Sequence, residues 1–193
     1  SLRRQRQMCI RDRALDGEDT ASHSTYRPVA VYASDVNGDG ITELPRAVLM
    51  AGYKDTSSSD AVYMLDWYAY GIGKVPTKVA TTYQNISDAW SLLIDQKWHD
   101  RITAIKANDG GLSYVEFFEY RKNKMSIPLF NIYCATGSNR EYYAERTDLI
   151  QLGQTTQAIY FAKLTNEGEQ SELALTGDEI KARFSLVNQA WNN

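Results

Sequence analysis

A run of oxygen-bearing residues at alternate positions makes residues 35–43 the part of the sequence with the clearest chemistry. The oxygen donors are Asp35, Asn37, Asp39, Ile41 and Glu43, the isoleucine through its backbone carbonyl. Alternate side chains point into one hollow, and Gly40 allows the sharp turn that such a hollow needs. Ca²⁺ prefers six to eight oxygen ligands of this kind. The spacing therefore predicts a calcium site formed by these five residues.

The way this loop closes separates it from other calcium loops. An EF-hand closes with a bidentate Glu at position twelve, and Arg46 occupies that position here. The competing interpretation is a simple Asn-Gly or Asp-Gly hairpin turn, which has no need of three carboxylates. Closed at position nine, between Tyr32-Ala33 and residues 47–50, the loop resembles the calcium loops of FG-GAP/VCBS repeats. That resemblance implies one blade of an integrin-like β-propeller.

The elements that must position the loop are predicted strands rich in β-branched and aromatic residues. These strands are predicted at 28–34, 44–50, 61–70 and 78–83, with a hairpin loop at 53–60. Four antiparallel strands around a calcium loop form a propeller blade, which we assign to residues 28–84. Residues 14–27 are predicted to be a linker. Because one blade cannot close a propeller, we expect the chain to belong to a larger protein.

A second, α+β domain is predicted for residues 85–193. Its strands are predicted at 90–95, 101–107, 112–120, 128–135, 149–152 and 157–164. The sequence Asn108-Asp109-Gly110-Gly111 indicates a tight hairpin between two of them. A mixed antiparallel sheet is therefore expected, with Phe130, Ile132 and Cys134 sharing one face of a strand.

Two helices are predicted to accompany this sheet. A short one is expected at 139–146 behind a capping box that begins at Ser138. A C-terminal amphipathic helix is expected behind a second capping box that begins at Thr176. Its apolar stripe at helical spacing would be Ile180, Phe184, Val187 and Trp191. We therefore expect this terminal helix to pack its stripe on the sheet.

The order of elements from residue 89 onward resembles the Mog1/PsbP-like fold. The likeness lies in Gln96-Lys97-Trp98 and in the Leu-Phe-Asn-Ile-Tyr sequence of residues 129–133. A blade followed by such a domain is similar to uncharacterised envelope lipoproteins of Gram-positive gut bacteria. This resemblance implies an extracytoplasmic location, on the cell surface or secreted, more than it implies an activity.

The first thirteen residues differ from the rest of the chain in composition. They hold five Arg and one Asp without periodicity, and they resemble translated adapter sequence found in metagenomic reading frames. We expect them to be non-native, with a native signal peptide missing. They contribute +4 to the net charge of −3, so residues 14–193 carry −7. An acidic body argues against nucleic-acid binding, and no apolar run is long enough to span a membrane.

Few residues in the sequence could do catalysis. His23 and His99 are the two histidines, too few for a zinc site with one credible thiol, Cys134. Neither a nucleophile elbow nor a phosphate-binding glycine loop occurs. Cys134 lies on an apolar strand face, which indicates an inert core thiol. The sequence therefore favours a non-catalytic protein.

Aromatic residues leave one alternative open. Five of them cluster at two places in the sequence: Trp67, Tyr68, Tyr70, Tyr142 and Tyr143. Exposed, they could stack on sugar rings, whereas in a sheet they would serve as core and cross-strand pairs. We expect a monomeric, calcium-stabilised binding or structural module. A carbohydrate- or peptide-binding surface and an enzyme with an unidentified site remain the alternatives.

Overall fold

The computed structural model describes residues 28–54, 56–57, 60–71, 75–109 and 112–187, and these residues form mostly β-strands. The strands are β1 Leu44–Leu49, β2 Tyr63–Ala69, β3 Thr77–Asn85, β4 Trp90–Leu93, β5 Ile102–Asp109, β6 Leu112–Arg121, β7 Lys124–Thr136, β8 Ile150–Gln154, β9 Ala158–Leu164 and β10 Phe184–Leu186. The helices are α1 Arg140–Ala144 and α2 Gly177–Arg183, with short 3-10 turns at Gln96–Trp98, Gly137–Asn139 and Gly168–Gln170. The antiparallel sheets expected of the predicted α+β fold are confirmed, but the described residues contain less helix than that prediction implied.

The strands form two five-stranded sheets. Their orders are β1-β2-β3-β4-β10 and β5-β6-β7-β9-β8. The pairs β3–β4, β4–β10, β5–β6, β6–β7, β7–β9 and β8–β9 are antiparallel. In the second sheet, consecutive strands pair in β5–β6, β6–β7 and β8–β9, and β9 lies between β7 and β8.

The described chain divides into two compact units. The first consists of the residues up to Val48 together with Leu65–Thr81, and it contains the predicted calcium loop. The second consists of Leu49–Met64 and the residues from Thr82 onward. The predicted domain boundaries at 27/28 and 84/85 remain predictions.

Alternation along the strands builds the core of the second unit. On β7, Phe130, Ile132 and Cys134 are all buried, as predicted. The Phe130 ring stacks on Phe117 of β6 with centroids 4.8 Å apart, and Phe117 meets the edge of Tyr83 at 5.3 Å. Each large buried aromatic contributes several kcal/mol through the area that it removes from water. This core fixes how β3, β6 and β7 pack.

Several local predictions are confirmed because they depend on short-range signals. Asn108 pairs with Ser113 and Asp109 with Leu112, as the predicted hairpin requires. The capping box at Thr176 is complete: the Thr176 hydroxyl accepts from the Glu179 N–H, and the Glu179 carboxylate accepts from the Thr176 N–H. One hairpin was not predicted from the sequence: between β6 and β7, Lys122 and Asn123 adopt positive φ angles of 50° and 58°.

The predicted C-terminal helix is wrong for residues 184–187, the described residues that follow Arg183. Helix α2 ends at Arg183, and Phe184 starts an extended strand that pairs with Leu92 of β4. The edge of β4 offers backbone hydrogen bonds to residues 184–186, and these outweigh the helical period of the apolar side chains. Of the predicted stripe, Ile180 is buried in the helix, and Phe184 is half-buried beside the Trp90 ring at 5.9 Å. Trp191 lies outside the described residues.

Two further predictions need correction. The strand predicted at 28–34 is reduced to a single bridge between Ser34 and Glu43. A tight turn, in which the Val31 N–H donates to the Val29 carbonyl at 2.9 Å, breaks the extended conformation before it. The helix predicted at 139–146 is the five-residue α1, and Ser138 lies inside a 3-10 turn that begins after Thr136 instead of capping the helix.

The segments predicted to be an adapter-derived start, residues 1–13, and a linker, residues 14–27, lie outside the described residues, as does His23. In the part of the chain that the structure describes, no helix has the length and apolar character to cross a bilayer.

Candidate metal site

The predicted calcium loop closes through a two-residue bridge. The Ser34 N–H donates to the Glu43 carbonyl at 3.2 Å, and the Glu43 N–H donates to the Ser34 carbonyl at 3.0 Å. Residues 35–42 form the loop between these two hydrogen bonds, and β1 begins directly after Glu43. The bridge therefore brings the two ends of the loop, at Asp35 and Glu43, to one place.

The Asp35 carboxylate organises the turn. Its Oδ1 accepts from the backbone N–H groups of Gly38 at 2.7 Å and of Asp39 at 3.2 Å. Its Oδ2 accepts from the N–H of Gly40 at 2.9 Å. The hydrogen bond from Gly40 is the largest cause of a pKa for Asp35 below its ordinary value. The fold therefore holds Asp35 as a carboxylate anion at the first position of the loop.

Asn37 and Asp39 hold each other within the same turn. The Asp39 N–H donates to Asn37 Oδ1 at 3.0 Å, and Asn37 Nδ2 donates to Asp39 Oδ2 at 2.8 Å. Asp39 Oδ1 accepts in turn from the Ile41 N–H at 2.8 Å. Short polar side chains satisfy nearby backbone donors in this way at turns. The two residues are exposed, so their oxygens are open to solvent and to ions.

Two glycines give the backbone its path. Gly38 and Gly40 have φ angles of +77° and +84°. A Cβ placed on either glycine would meet no heavy atom within 4 Å, so space is not the constraint. The constraint is the left-handed conformation, which glycine adopts without steric cost. The sharp turn predicted at Gly40 is confirmed.

Glu43 differs from the two aspartates because it is buried. The residue has 0% of its surface exposed. Its Oε2 accepts from the Val36 N–H at 2.9 Å, whereas its Oε1 is buried with no hydrogen-bond partner among the described residues. An unsatisfied buried polar atom costs about 1–3 kcal/mol, and more when it is charged. A cation at Oε1 would remove that cost.

The three carboxylates converge. Asp35, Asp39 and Glu43 can each offer one oxygen so that all three oxygens lie within 4.8 Å of one another. Three negative charges at this separation repel each other, and the repulsion opposes closure of the loop. The chemistry of this donor set suits a hard cation. Ile41 takes part through its N–H, and its predicted role as a carbonyl ligand remains a prediction.

Arg46, the residue at position twelve, is directed toward aromatic side chains. Its guanidinium lies over the Tyr68 ring at 4.9 Å and donates to the Tyr70 hydroxyl at 2.9 Å. Trp67, directly before Tyr68, is fully buried, as the alternation of side chains along a strand predicts. These three aromatics therefore serve packing and the cation–π contact within the first unit.

The other described residues singled out in the sequence lie in the second unit. Cys134 is buried, and burial raises the pKa of its thiol to about 11. It is therefore an unreactive thiol, as predicted. His99 is half-buried and directly follows the 3-10 turn Gln96–Trp98. Tyr142 is 66% exposed and meets Tyr143 edge-on at 5.3 Å.

One charged cluster in the second unit was not predicted from the sequence. Glu119 on β6 is fully buried and accepts from Arg101, Arg121 and Ser171. Burial acts to raise the pKa of Glu119, but the hydrogen bonds from Ser171 and Arg121 outweigh it, so the pKa lies below its ordinary value. Because Arg101 and Ser171 are distant from Glu119 in the sequence, no local spacing could reveal the cluster. All four groups satisfy each other, which indicates a structural role.

Comparison with models of protein families, with curated proteins and with solved structures finds no match for this chain.

Proposed function

We propose that residues 35–43 bind one Ca²⁺, with Asp35, Asp39 and Glu43 as its carboxylate ligands. The observation that carries this proposal is the Glu43 carboxylate, which is fully buried beside two further carboxylates and whose Oε1 has no hydrogen-bond partner in the part of the chain that the structure describes. A turn that needed only glycine and asparagine would gain nothing from burying a charge there. A cation gives that charge a partner.

The ion would stabilise the loop in two ways. It offsets the mutual repulsion of the three carboxylates, and it gives Glu43 Oε1 the partner that it lacks. The amide oxygen of Asn37 and the carbonyl of Ile41 are the further protein donors, and water completes a coordination of six to eight. Because Asp35 precedes the turn and Glu43 directly precedes β1, the ion ties both ends of the loop together.

This role is structural and suits an extracytoplasmic protein. Calcium loops of extracellular modules bind with dissociation constants of about 10⁻⁴ to 10⁻³ M, weaker than cytosolic sensors. A loop with three carboxylates, two of them exposed, belongs to this weaker class. We therefore propose a non-catalytic, calcium-stabilised binding or structural module of a larger envelope protein. The resemblance of the loop to FG-GAP/VCBS repeats supports the same proposal.

The aromatic side chains give less support to a sugar-binding surface. Among the described residues, the exposed aromatics are Tyr32 and Tyr142. Tyr68 and Tyr70 are half-buried and engaged by Arg46. A stacking platform needs adjacent ring faces that are open to solvent.

Calorimetric unfolding with chelator and with millimolar Ca²⁺ tests the calcium proposal. Calcium should raise the melting temperature of wild type and leave Asp39→Ala unchanged, because Asp39 supplies a central ligand. The matched control is Asp60→Ala, which removes an exposed carboxylate that accepts from nearby Ser57 in the β1–β2 loop. That control should keep the full calcium effect. A wild type that does not respond, or an Asp39→Ala variant that does, would overturn the proposal.

A further inference from the structure

Residues 37 and 38 form an Asn-Gly pair, the dipeptide in which asparagine deamidates most readily. It is the one Asn-Gly pair in the sequence. In this reaction the nitrogen of the glycine attacks Cγ of the asparagine, so a new N–Cγ bond forms and the Cγ–Nδ2 bond breaks. Ammonia leaves with the proton that the glycine nitrogen gives up. Water then opens the cyclic imide, and the products are aspartate or isoaspartate.

The folded loop restrains both reacting groups. The Gly38 N–H, which must lose its proton, donates to Asp35 Oδ1 at 2.7 Å. Charge-assisted hydrogen bonds of this length are strong. The adjacent carboxylate also disfavours the negative charge that the Gly38 nitrogen would carry after losing its proton. The Asn37 amide is held at both ends by Asp39, through Oδ1 at 3.0 Å and Nδ2 at 2.8 Å. The nucleophile and the electrophile are therefore both engaged elsewhere.

We propose that Asn37 is a conditional modification site: the closed loop protects it from deamidation, and opening of the loop exposes it. Asn37 is exposed to solvent, so the protection comes from the hydrogen bonds of the turn and not from burial. Conversion to isoaspartate lengthens the backbone by one methylene between Asp35 and Asp39, which breaks the turn that holds them. Each opening thus carries a chance of permanent loss of the closed loop.

This site rests on the hydrogen bonds of the loop and does not require calcium, although an ion bound as proposed above would add protection. Local opening sets the fraction of molecules that can react, so the deamidation rate is proportional to the population of the open loop. Two arms follow from this: one compares folded and unstructured chain, and the other compares calcium with chelator.

Peptide mass spectrometry after incubation in mildly alkaline buffer measures the reaction. The samples are the full chain, a synthetic peptide of residues 32–46 and the variant Asp35→Asn in chelator, and the full chain also in millimolar Ca²⁺. Asn37 should deamidate at least about tenfold more slowly in the folded chain than in the peptide, a ratio that local opening sets. Asp35→Asn should bring the rate close to that of the peptide. Asn123, exposed in the β6–β7 turn and followed by Lys124, is the internal reference for general ageing.

The outcomes separate this proposal from the proposed calcium function. Equal rates in the folded chain and the peptide would overturn it, and so would an Asp35→Asn variant that stays fully protected. If Asp35→Asn does not fold, hydrogen exchange at the Gly38 amide of wild type decides: slow exchange supports protection and exchange at the peptide rate contradicts it. If protection holds but calcium does not change the rate, the calcium function fails and the modification site stands.

Discussion

Replacing Glu43 with glutamine should stabilise the calcium-free protein while it removes the response to calcium. Glu43→Gln keeps an oxygen to accept from the Val36 N–H, which Oε2 now does at 2.9 Å. It removes a buried charge that sits beside the Asp35 and Asp39 carboxylates. It also places an amide donor where one of those carboxylates can accept. The substitution thus removes both the repulsion from Asp35 and Asp39 and the unsatisfied oxygen of Glu43.

The magnitude follows from the cost of the unsatisfied atom. A buried polar atom without a partner costs about 1–3 kcal/mol, and this is the expected gain in unfolding free energy in chelator. For a unit of fewer than about 100 residues, each kcal/mol shifts the melting temperature by about 4–8 °C. Added calcium should raise the unfolding free energy of wild type and leave that of Glu43→Gln unchanged.

Differential scanning calorimetry in chelator and in calcium measures both effects, because it resolves separate transitions in a chain with two units. The control is Glu145→Gln, which neutralises an exposed carboxylate after α1 and should change neither value. A Glu43→Gln variant less stable than wild type in chelator would refute the reasoning, since it would mean that the charge of Glu43 is already satisfied. A retained calcium effect would refute it equally.

Three other changes test the fold. Phe117→Ala, which removes the ring stacked on Phe130, should cost about 3–5 kcal/mol in denaturant unfolding, and a loss below about 1 kcal/mol would contradict the packing. Thr176→Ala should cost about 1 kcal/mol through the lost cap, and Thr176→Ser should restore most of it. Because the pKa of Glu119 is lowered on folding, its contribution to stability is complete above the ordinary value of 4.5 and is lost as the pH falls through the folded pKa. An acid titration of stability should therefore be flatter for Glu119→Gln than for wild type, and identical slopes would contradict this role.

Local signals explain which parts of the fold could be predicted from the sequence. The Asn108-Asp109 hairpin and the Thr176 capping box depend on residues within a few positions of each other, and both form as expected. The terminal-helix prediction was wrong after Arg183 because residues 184–186 pair as a strand with the edge of β4. Strand β4 lies about ninety residues earlier in the chain. A helical period cannot show that a sheet edge is available.

The candidate metal site was likewise predictable only in part from the sequence. The convergence of Asp35, Asp39 and Glu43 follows from their spacing around a turn at Gly40, and the sequence predicts it. The burial of Glu43 could not be predicted, because burial depends on tertiary packing and not on the spacing within the loop. Burial is what distinguishes a carboxylate in need of a cation from one that water can solvate.

Calcium titration followed by amide NMR spectra tests the central claim most directly, because it reports binding residue by residue at millimolar affinity. The amides of Gly38 and Gly40, which donate to Asp35, are the natural probes. We predict saturable shifts at these amides and at Glu43, with a dissociation constant of about 10⁻⁴ to 10⁻³ M, and no such shifts in Asp39→Ala. Unchanged amide positions in residues 35–43, or equal changes with a monovalent salt at matched ionic strength, would contradict it.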